Sequence, residues 1–225
     1  MAECKFNKVL VANRGEIAIR VFRALNELGI TSVAVYSKED KYAMFRTLAD
    51  EAYPLNPEKG PIDAYLDIPT ILKIAKDHNV DAIHPGYGFL AENPVLVEEC
   101  EKNGITFIGP TVDSMNAMGD KISSKQIAIA SQVPIIPGVD HAMKTVEEAM
   151  EVAKKVGYPV MLKASNGGGG RGIRRCDSAK DLPDAYAAAK AEANACFGND
   201  EMYLEKLVLE PRHIEFQILA DRQGH

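Results

Sequence analysis

The chain has 225 residues, of which 46% are hydrophobic and 26% charged, with a formal net charge of −6. That length and composition support a sizeable core in one large domain or two small ones, and the negative balance argues against a general nucleic-acid or membrane-surface binder while leaving room for a local basic pocket. Cys4, Cys100, Cys176 and Cys196 lie far apart with no C-x-x-C pair, which argues against a zinc site or a disulfide framework and fits a reducing compartment.

The opening "MAECKFNKVLVANRG" carries no signal-peptide core and no long apolar segment, so a cytoplasmic protein is expected, or an organelle-matrix form with its leader removed. "KVLVAN" (Lys8–Asn13) reads as a strand buried on both faces. Ile17, Val21, Leu25 and Leu28 then recur at helical spacing, and Gly29 supplies a stop. Ser32–Ser37 is a second strand. Ile71, Leu72 and Ala75 mark a helix followed by "VDAIHPG". "NPVLVEECEKNG" is another helix, closed by Gly104, and Ile105–Gly109 another strand. Strands joined by helices predict a mostly parallel sheet covered on both faces. Farther on, "DKISSKQIAIASQ" is helix-like and "VPIIPG" is a proline-punctuated connection. A helix follows from Thr145, and "YPVMLKAS", a glycine run and "RGIRRC" come next. An alanine-rich helix extends from Ser178 to Phe197, and "EMYLEKLV" and "RHIEFQILAD" read as strands. Two strand pairs, each with a helix, predict a small α+β unit with its boundary near Gly119 to Pro137.

The glycine run is the most informative stretch. Glycine loses more backbone freedom on folding than any other residue, so Gly167–Gly170 in a row needs a reason. Its flanks are an apolar strand, "VMLK", and an apparent return strand, "RGIRR", which describes a hairpin tip rather than a linker. Successive glycine N–H groups can nest an anion, and bare backbone can cover a polyphosphate closely. Lys163 and Arg171 bracket the run with positive charge. No G-x-x-x-x-G-K-[ST] pattern and no G-x-G-x-x-G after the first strand is present, so neither a Walker A loop nor a dinucleotide fingerprint explains it. Lys163 is read as a point cation for phosphate rather than a lysine snorkelling to solvent.

Taken in order, "LVANRGEIAIR", "AIHPGYGFLAEN", "FIGP", "MGDK", "YPVMLKASNGGGGRGIR" and "EPRHIEFQILAD" resemble the biotin carboxylase component of biotin-dependent carboxylases over nearly the whole chain. "FGNDEMYLEK" and the helices are most similar to the pyruvate carboxylase branch, with acyl-CoA and urea carboxylases close behind. The resemblance implies an ATP-grasp enzyme that activates bicarbonate with MgATP and carboxylates biotin. It implies an α/β fold. Residues 1–118 would form a Rossmann-like pre-ATP-grasp domain with a parallel sheet, and 119–136 a linker helix and connection. Residues 137–209 would form the small α+β ATP-grasp lid subdomain with the glycine loop, and 210–225 the incomplete start of the next subdomain. By motif matching, Lys121 and Lys163 would reach the ATP phosphates and Gly169 and Gly170 would cover them. Glu205, Lys206, Leu207 and Val208 would hold adenine through backbone, and His213 would border the nucleotide. Asn166, Ile173 and Leu207 depart from the family's frequent glycine, methionine and tyrosine.

No position matches the family's acidic metal ligands or catalytic arginine. Mg²⁺ or Mn²⁺ would be held by ligands missing here, and the chain alone is expected to bind ATP weakly at most and to be inactive. An unprotected last strand is expected to cause weak solubility or dimerisation. Implied partners are bicarbonate, a biotin carrier and a carboxyltransferase, with a homodimer for the intact enzyme; no nucleic acid and no membrane are expected. "AMKT" is a weak match to a biotin-accepting lysine, but Thr145 and Glu148 form a capping box there, so Lys144 is read as a surface residue. His84 sits where open α/β sheets bind ligands, or else in a packed turn with Tyr87 and Phe89 as core residues. His78, His141 and His225 are expected to be solvent-exposed. Glu16 suits a helix N-terminus, and Arg20 and Arg23 are weak interface candidates. Other ATP-grasp ligases, of carbamoyl phosphate synthetase or purine-pathway carboxylase type, and a non-catalytic nucleotide-binding or assembly fragment are the alternatives.

Overall fold

The computed structural model describes residues 6–119, 121–165, 172–221 and 223–225. The chain forms two compact units, Met1–Asp120 and Lys121–His225.

The first unit is a five-stranded parallel sheet. Strand β1 (Lys8–Val11) feeds helix α1 (Gly15–Glu27) and then β2 (Thr31–Tyr36). A short helix α2 (Met44–Leu48) precedes β3 (Glu51–Pro54), a half-exposed strand that the apolar-run criterion missed. Helix α3 (Ile68–Asp77), β4 (Ala82–His84), α4 (Pro94–Lys102), β5 (Thr106–Phe107) and α5 (Val112–Gly119) complete it. The sheet order is β3-β2-β1-β4-β5, so the winding direction reverses between β1 and β4. Alternation in β1 divides its side chains between two cores. Val9 and Val11 face α1 and α2 with Val21, Phe22 and Phe45, whereas Leu10 faces the opposite side with Ile71, Leu96 and Cys100. Both faces are therefore apolar, which is why β1 reads as an unbroken hydrophobic run.

The second unit opens with α6 (Lys121–Ala130) and α7 (Val146–Val156). Strands β6 (Val160–Ala164), β7 (Ile173–Cys176) and β8 (Met202–Lys206) form an antiparallel sheet ordered β7-β6-β8, and α8 (Leu182–Phe197) runs between β7 and β8 in sequence. Helices α7 and α8 pack on this sheet. Val160, Leu162 and Ala164 of β6 meet Met202 and Leu204 of β8, with Ala149, Ala153, Ala189 and Ala193 from the helices. The small side chains of Ala189 and Ala193 let α8 lie close to the sheet; Ala187, Ala188, Ala191 and Ala195 of the same helix are exposed.

Two expectations are corrected. "RHIEFQILAD" is not a strand: residues 207–221 hold no helix or strand. Its period-two alternation is real, but a strand also needs a ladder partner, and none of the described strands pairs with it. Ile214, Phe216, Ile218 and Leu219 are 74%, 86%, 76% and 94% exposed. The expected two strand pairs are accordingly one three-stranded sheet. Its far edge at β8 is extended by residues 137–143, where Val139 N donates to Leu204 O, Met143 N to Met202 O and Lys206 N to Pro137 O. Cys100 and Cys176 are free and buried, and Cys196 is free and exposed.

Candidate functional site

Because helices cover one face of the small sheet, strand alternation brings the residues between the core positions to the other face. Met161 and Lys163 of β6, Ile173 and Arg175 of β7, and Tyr203 and Glu205 of β8 occupy it, with Met161 opposite Arg175, Lys163 opposite both Ile173 and Tyr203, and Met161 opposite Glu205. Lys163 Nζ donates a hydrogen bond to the Glu205 carboxylate, and the two side chains are only 27% and 16% exposed. Partial burial pushes the Tyr203 hydroxyl up to about 12. Arg175 turns to Asp177, at 2.7 Å. This face therefore offers one ammonium group already charge-paired and apolar walls from Met161 and Ile173. Ser165, next in the chain after β6, keeps a buried hydroxyl oxygen with no hydrogen-bond partner among the described residues. Nothing in its sequence context singled it out.

The remaining candidates are placed as follows. Lys121 begins α6, and its side chain lies outside the described part; Gly169, Gly170, Asn166 and Arg171 also lie outside the described residues. Helix α6 is anchored by Lys125 Nζ donating to Val139 O at 2.8 Å. Lys206 is not free for a ligand through its side chain, because its Nζ donates to Gly157 O at 2.9 Å and Tyr158 O at 2.8 Å. Leu207 N donates to Pro159 O at 3.1 Å, and Val208 is exposed. His213 is exposed and bonded to Glu215 at 2.8 Å. The structure thus brings Lys163 and Glu205 together on one surface, while His213 belongs to the irregular segment. Among the described residues, no group of three or more His, Cys, Asp or Glu side chains converges as a metal site.

The first unit has a cleft of its own at the carboxyl ends of β1 and β4, about 350 Å³ and lined by Asn13, Arg14, Glu16, Tyr87 and Phe89 among others. Asn13 ties the end of β1 to the turn after β4 by donating to Pro85 O and Tyr87 O, both at 2.7 Å. Gly86 must be glycine, since its φ is +66° and a Cβ would lie 2.7 Å from Asn13 Nδ2. Arg14 grips Asp40 bidentately, and Tyr65 Oη adds a hydrogen bond to the same carboxylate at 2.8 Å. The Arg14 guanidinium holds Asp40 below the usual carboxylate range. His84 takes the packed-turn arrangement: its Nδ1 accepts from Gly86 N at 3.0 Å, and burial lowers its pKa. Phe89 stacks on Tyr65, but Tyr87 is 61% exposed, so the expectation of a core tyrosine is corrected; its hydroxyl reaches Glu16 instead. His78 is likewise not free in solvent but stacks on Tyr53 with ring centroids 3.5 Å apart.

Residues 5–115 match the family model of the biotin carboxylase N-terminal domain, and residues 120–225 match that of the carbamoyl-phosphate synthase L chain ATP-binding domain. The chain is 52% identical over 225 residues to the pyruvate carboxylase of Bacillus subtilis, covering all of itself and 20% of that relative. It is homologous to the biotin carboxylase region of pyruvate carboxylase. Among solved structures, a biotin carboxylase from Campylobacter jejuni in complex with β-γ-ATP superposes with a TM-score of 0.84 at 45% identity, over 92% of this chain and 46% of that one. The biotin carboxylase domain dimer of Hydrogenobacter thermophilus 2-oxoglutarate carboxylase, with MgADP, ADP and bicarbonate, gives 0.82 at 49% identity, over 92% and 45%. The chain thus spans about a fifth of the pyruvate carboxylase and less than half of either solved neighbour.

Proposed function

We propose that this chain supplies the nucleotide-binding part of a biotin carboxylase, and that the whole protein uses MgATP to activate bicarbonate and carboxylate biotin on a carrier. The observation that carries the reading is Lys163, presented on the helix-free face of the small sheet four positions before the glycine run. An ammonium a few residues ahead of a run of glycines suits a polyphosphate: the lysine would supply charge, and the amides directed donors. Lys121 at the head of α6 and Gly169 and Gly170 join it in this reading. Adenine fits the end of β8. The even residues of β8 present their backbone to 137–143, and the Lys206 carbonyl lies at the end of that ladder, suited to accept from the adenine amino group. The exposed Val208 supplies an N–H two residues on. Glu205, Lys206 and Leu207 shape this edge, and His213 borders it once the irregular segment closes over the ligand.

In this reading, residues 1–118 are the pre-ATP-grasp domain, 119–136 the connection, 137–209 the lid and 210–225 the entry to the next subdomain. Magnesium would arrive with the nucleotide. The chain's own contribution is to bind and orient the triphosphate, one part of the positioning and charge neutralisation that phosphoryl transfer requires. The carboxyl acceptor, the carrier, the carboxyltransferase and homodimer formation belong to the proposed whole protein. A cytoplasmic setting fits the free thiols. No helix among the described residues is long and apolar enough to cross a membrane. A second reading, another ATP-grasp ligase, draws on the carbamoyl-phosphate synthase-type match of residues 120–225; the biotin carboxylase-type match of residues 5–115 favours the first.

Titration with a fluorescent ATP analogue tests the site. Lys163→Ala is expected to weaken binding about tenfold or more, the scale of a lost charge-assisted contact to phosphate. Unchanged affinity in that variant would remove Lys163 from the site and the reading with it.

A further inference from the structure

We propose that the Glu205 side chain is the resident counter-ion of Lys163 and sets how tightly a polyphosphate binds there. The inference rests on the nucleotide reading above and deepens it, giving Glu205 a side-chain role distinct from any backbone contact it makes to a base.

The geometry follows from strand pairing. Lys163 lies opposite Tyr203 and Glu205 opposite Met161, so Lys163 and Glu205 are diagonal neighbours on one face of the β6–β8 pair. Both are largely covered, and the lysine ammonium is hydrogen-bonded to the carboxylate. A half-buried ammonium left alone would be costly, and Glu205 removes that cost while the site holds no ligand. Among the described residues, Lys206 and Arg175 have their own partners. Lys206 is tied to the carbonyls of Gly157 and Tyr158, and Arg175 to Asp177. The arrival of a phosphate at Lys163 places a second anion on that ammonium, whichever other cations join it. Lysine has three donors and can hold both, so the pair need not break. The carboxylate and phosphate still repel each other in a partly desolvated setting, where charge acts more strongly than in water. Glu205 thus stores the lysine in a paired, oriented state and weakens phosphate binding by the repulsion it retains. This makes Glu205 a positioning and tuning residue, and its influence should grow with the number of phosphates on the ligand.

The test compares wild type, Glu205→Gln and Lys163→Gln chains, titrated with fluorescent ATP, fluorescent ADP, adenosine and inorganic tripolyphosphate. Glutamine keeps the shape and one acceptor oxygen, removes the charge and puts an NH₂ donor in place of the second oxygen, so Glu205→Ala, which brings no donor, must show the same direction. The expected result for Glu205→Gln is about three- to tenfold tighter binding of ATP and tripolyphosphate, a smaller gain for ADP and none for adenosine. A merely structural role would shift all four ligands alike. In nucleotide-free wild type, the Lys163 ammonium should give an NMR resonance protected from solvent exchange, and Glu205→Ala should abolish it. Should Glu205→Gln misfold, Glu205→Ala reads the same loss of charge. If wild type binds ATP and Glu205→Gln binds it equally or more weakly, the tuning role is overturned and the nucleotide site stands. If no chain, wild type included, binds ATP or tripolyphosphate, the nucleotide reading falls and takes this role with it.

Discussion

Asp40 shows how much one buried carboxylate can organise. It accepts from Arg14, from Tyr65 and, at 3.4 Å, from Ser37, and so ties the start of α1 to the segment after β2. Asp40→Asn would leave the Arg14 guanidinium facing a neutral amide, and a loss of about 2 kcal/mol in unfolding free energy is expected by urea titration. The pH dependence has a definite sign. The folded pKa lies below the unfolded one, so the stabilisation is complete above about pH 4 and disappears as pH falls through the depressed folded value. Wild type should lose stability on acidification to pH 2 more steeply than Asp40→Asn does. None of this was visible in "SKED", where Asp40 looks like any surface acid. Its burial is decided by Tyr65, 25 residues away, and local sequence carries no trace of that contact.

At the level of the element, α7 illustrates what was and was not legible. The T-x-x-E pattern predicted its start, and Thr145 Oγ1 does accept from Glu148 N, at 3.2 Å. The Glu148 carboxylate, however, also accepts from Lys144 N at 2.9 Å and holds His141 Nε2 at 2.8 Å. Asp140 holds the other ring nitrogen at 3.0 Å, and these two carboxylates raise the His141 pKa. His141 therefore stabilises the entry to α7 fully below its ordinary pKa of about 6.5 and loses that effect as pH rises through its higher folded value. The melting temperature of wild type should fall more between pH 6 and pH 9 than that of His141→Ala, whereas Thr145→Ala should cost about 1 kcal/mol at either pH. Elements with strong local patterns, such as β1, α1 and β6, were legible because hydrophobic period alone decides them. Strand β3, half-exposed, was hidden because its existence depends on pairing with β2. Residues 212–221 failed the other way, with the right alternation and nothing to pair against. The site divides similarly: Lys163 announced itself beside the glycines, whereas its partnership with Glu205 depends on strand register, which the one-dimensional pattern leaves open.

For the molecule as a whole, the exposed row of Ile214, Phe216 and Ile218 should govern association. An unpaired segment with apolar side chains on alternate positions is a template for another strand. Concentration-dependent association by light scattering is expected for wild type, with a marked reduction in Phe216→Lys; a dilution-independent monomer in wild type would refute this. The sulfur atoms offer a different use of the same architecture. Cys100 sits in the core of the first unit, where burial pushes its thiol up to about 12, and Cys176 in the core of the second, where burial also raises it. Cys196 lies in the open. Alkylation of the native protein should therefore tag Cys196 at once, and the slow labelling of Cys100 and Cys176 becomes a pair of independent clocks. Each would time the breathing of its own half, and adding nucleotide should slow one clock, Cys176, without touching the other.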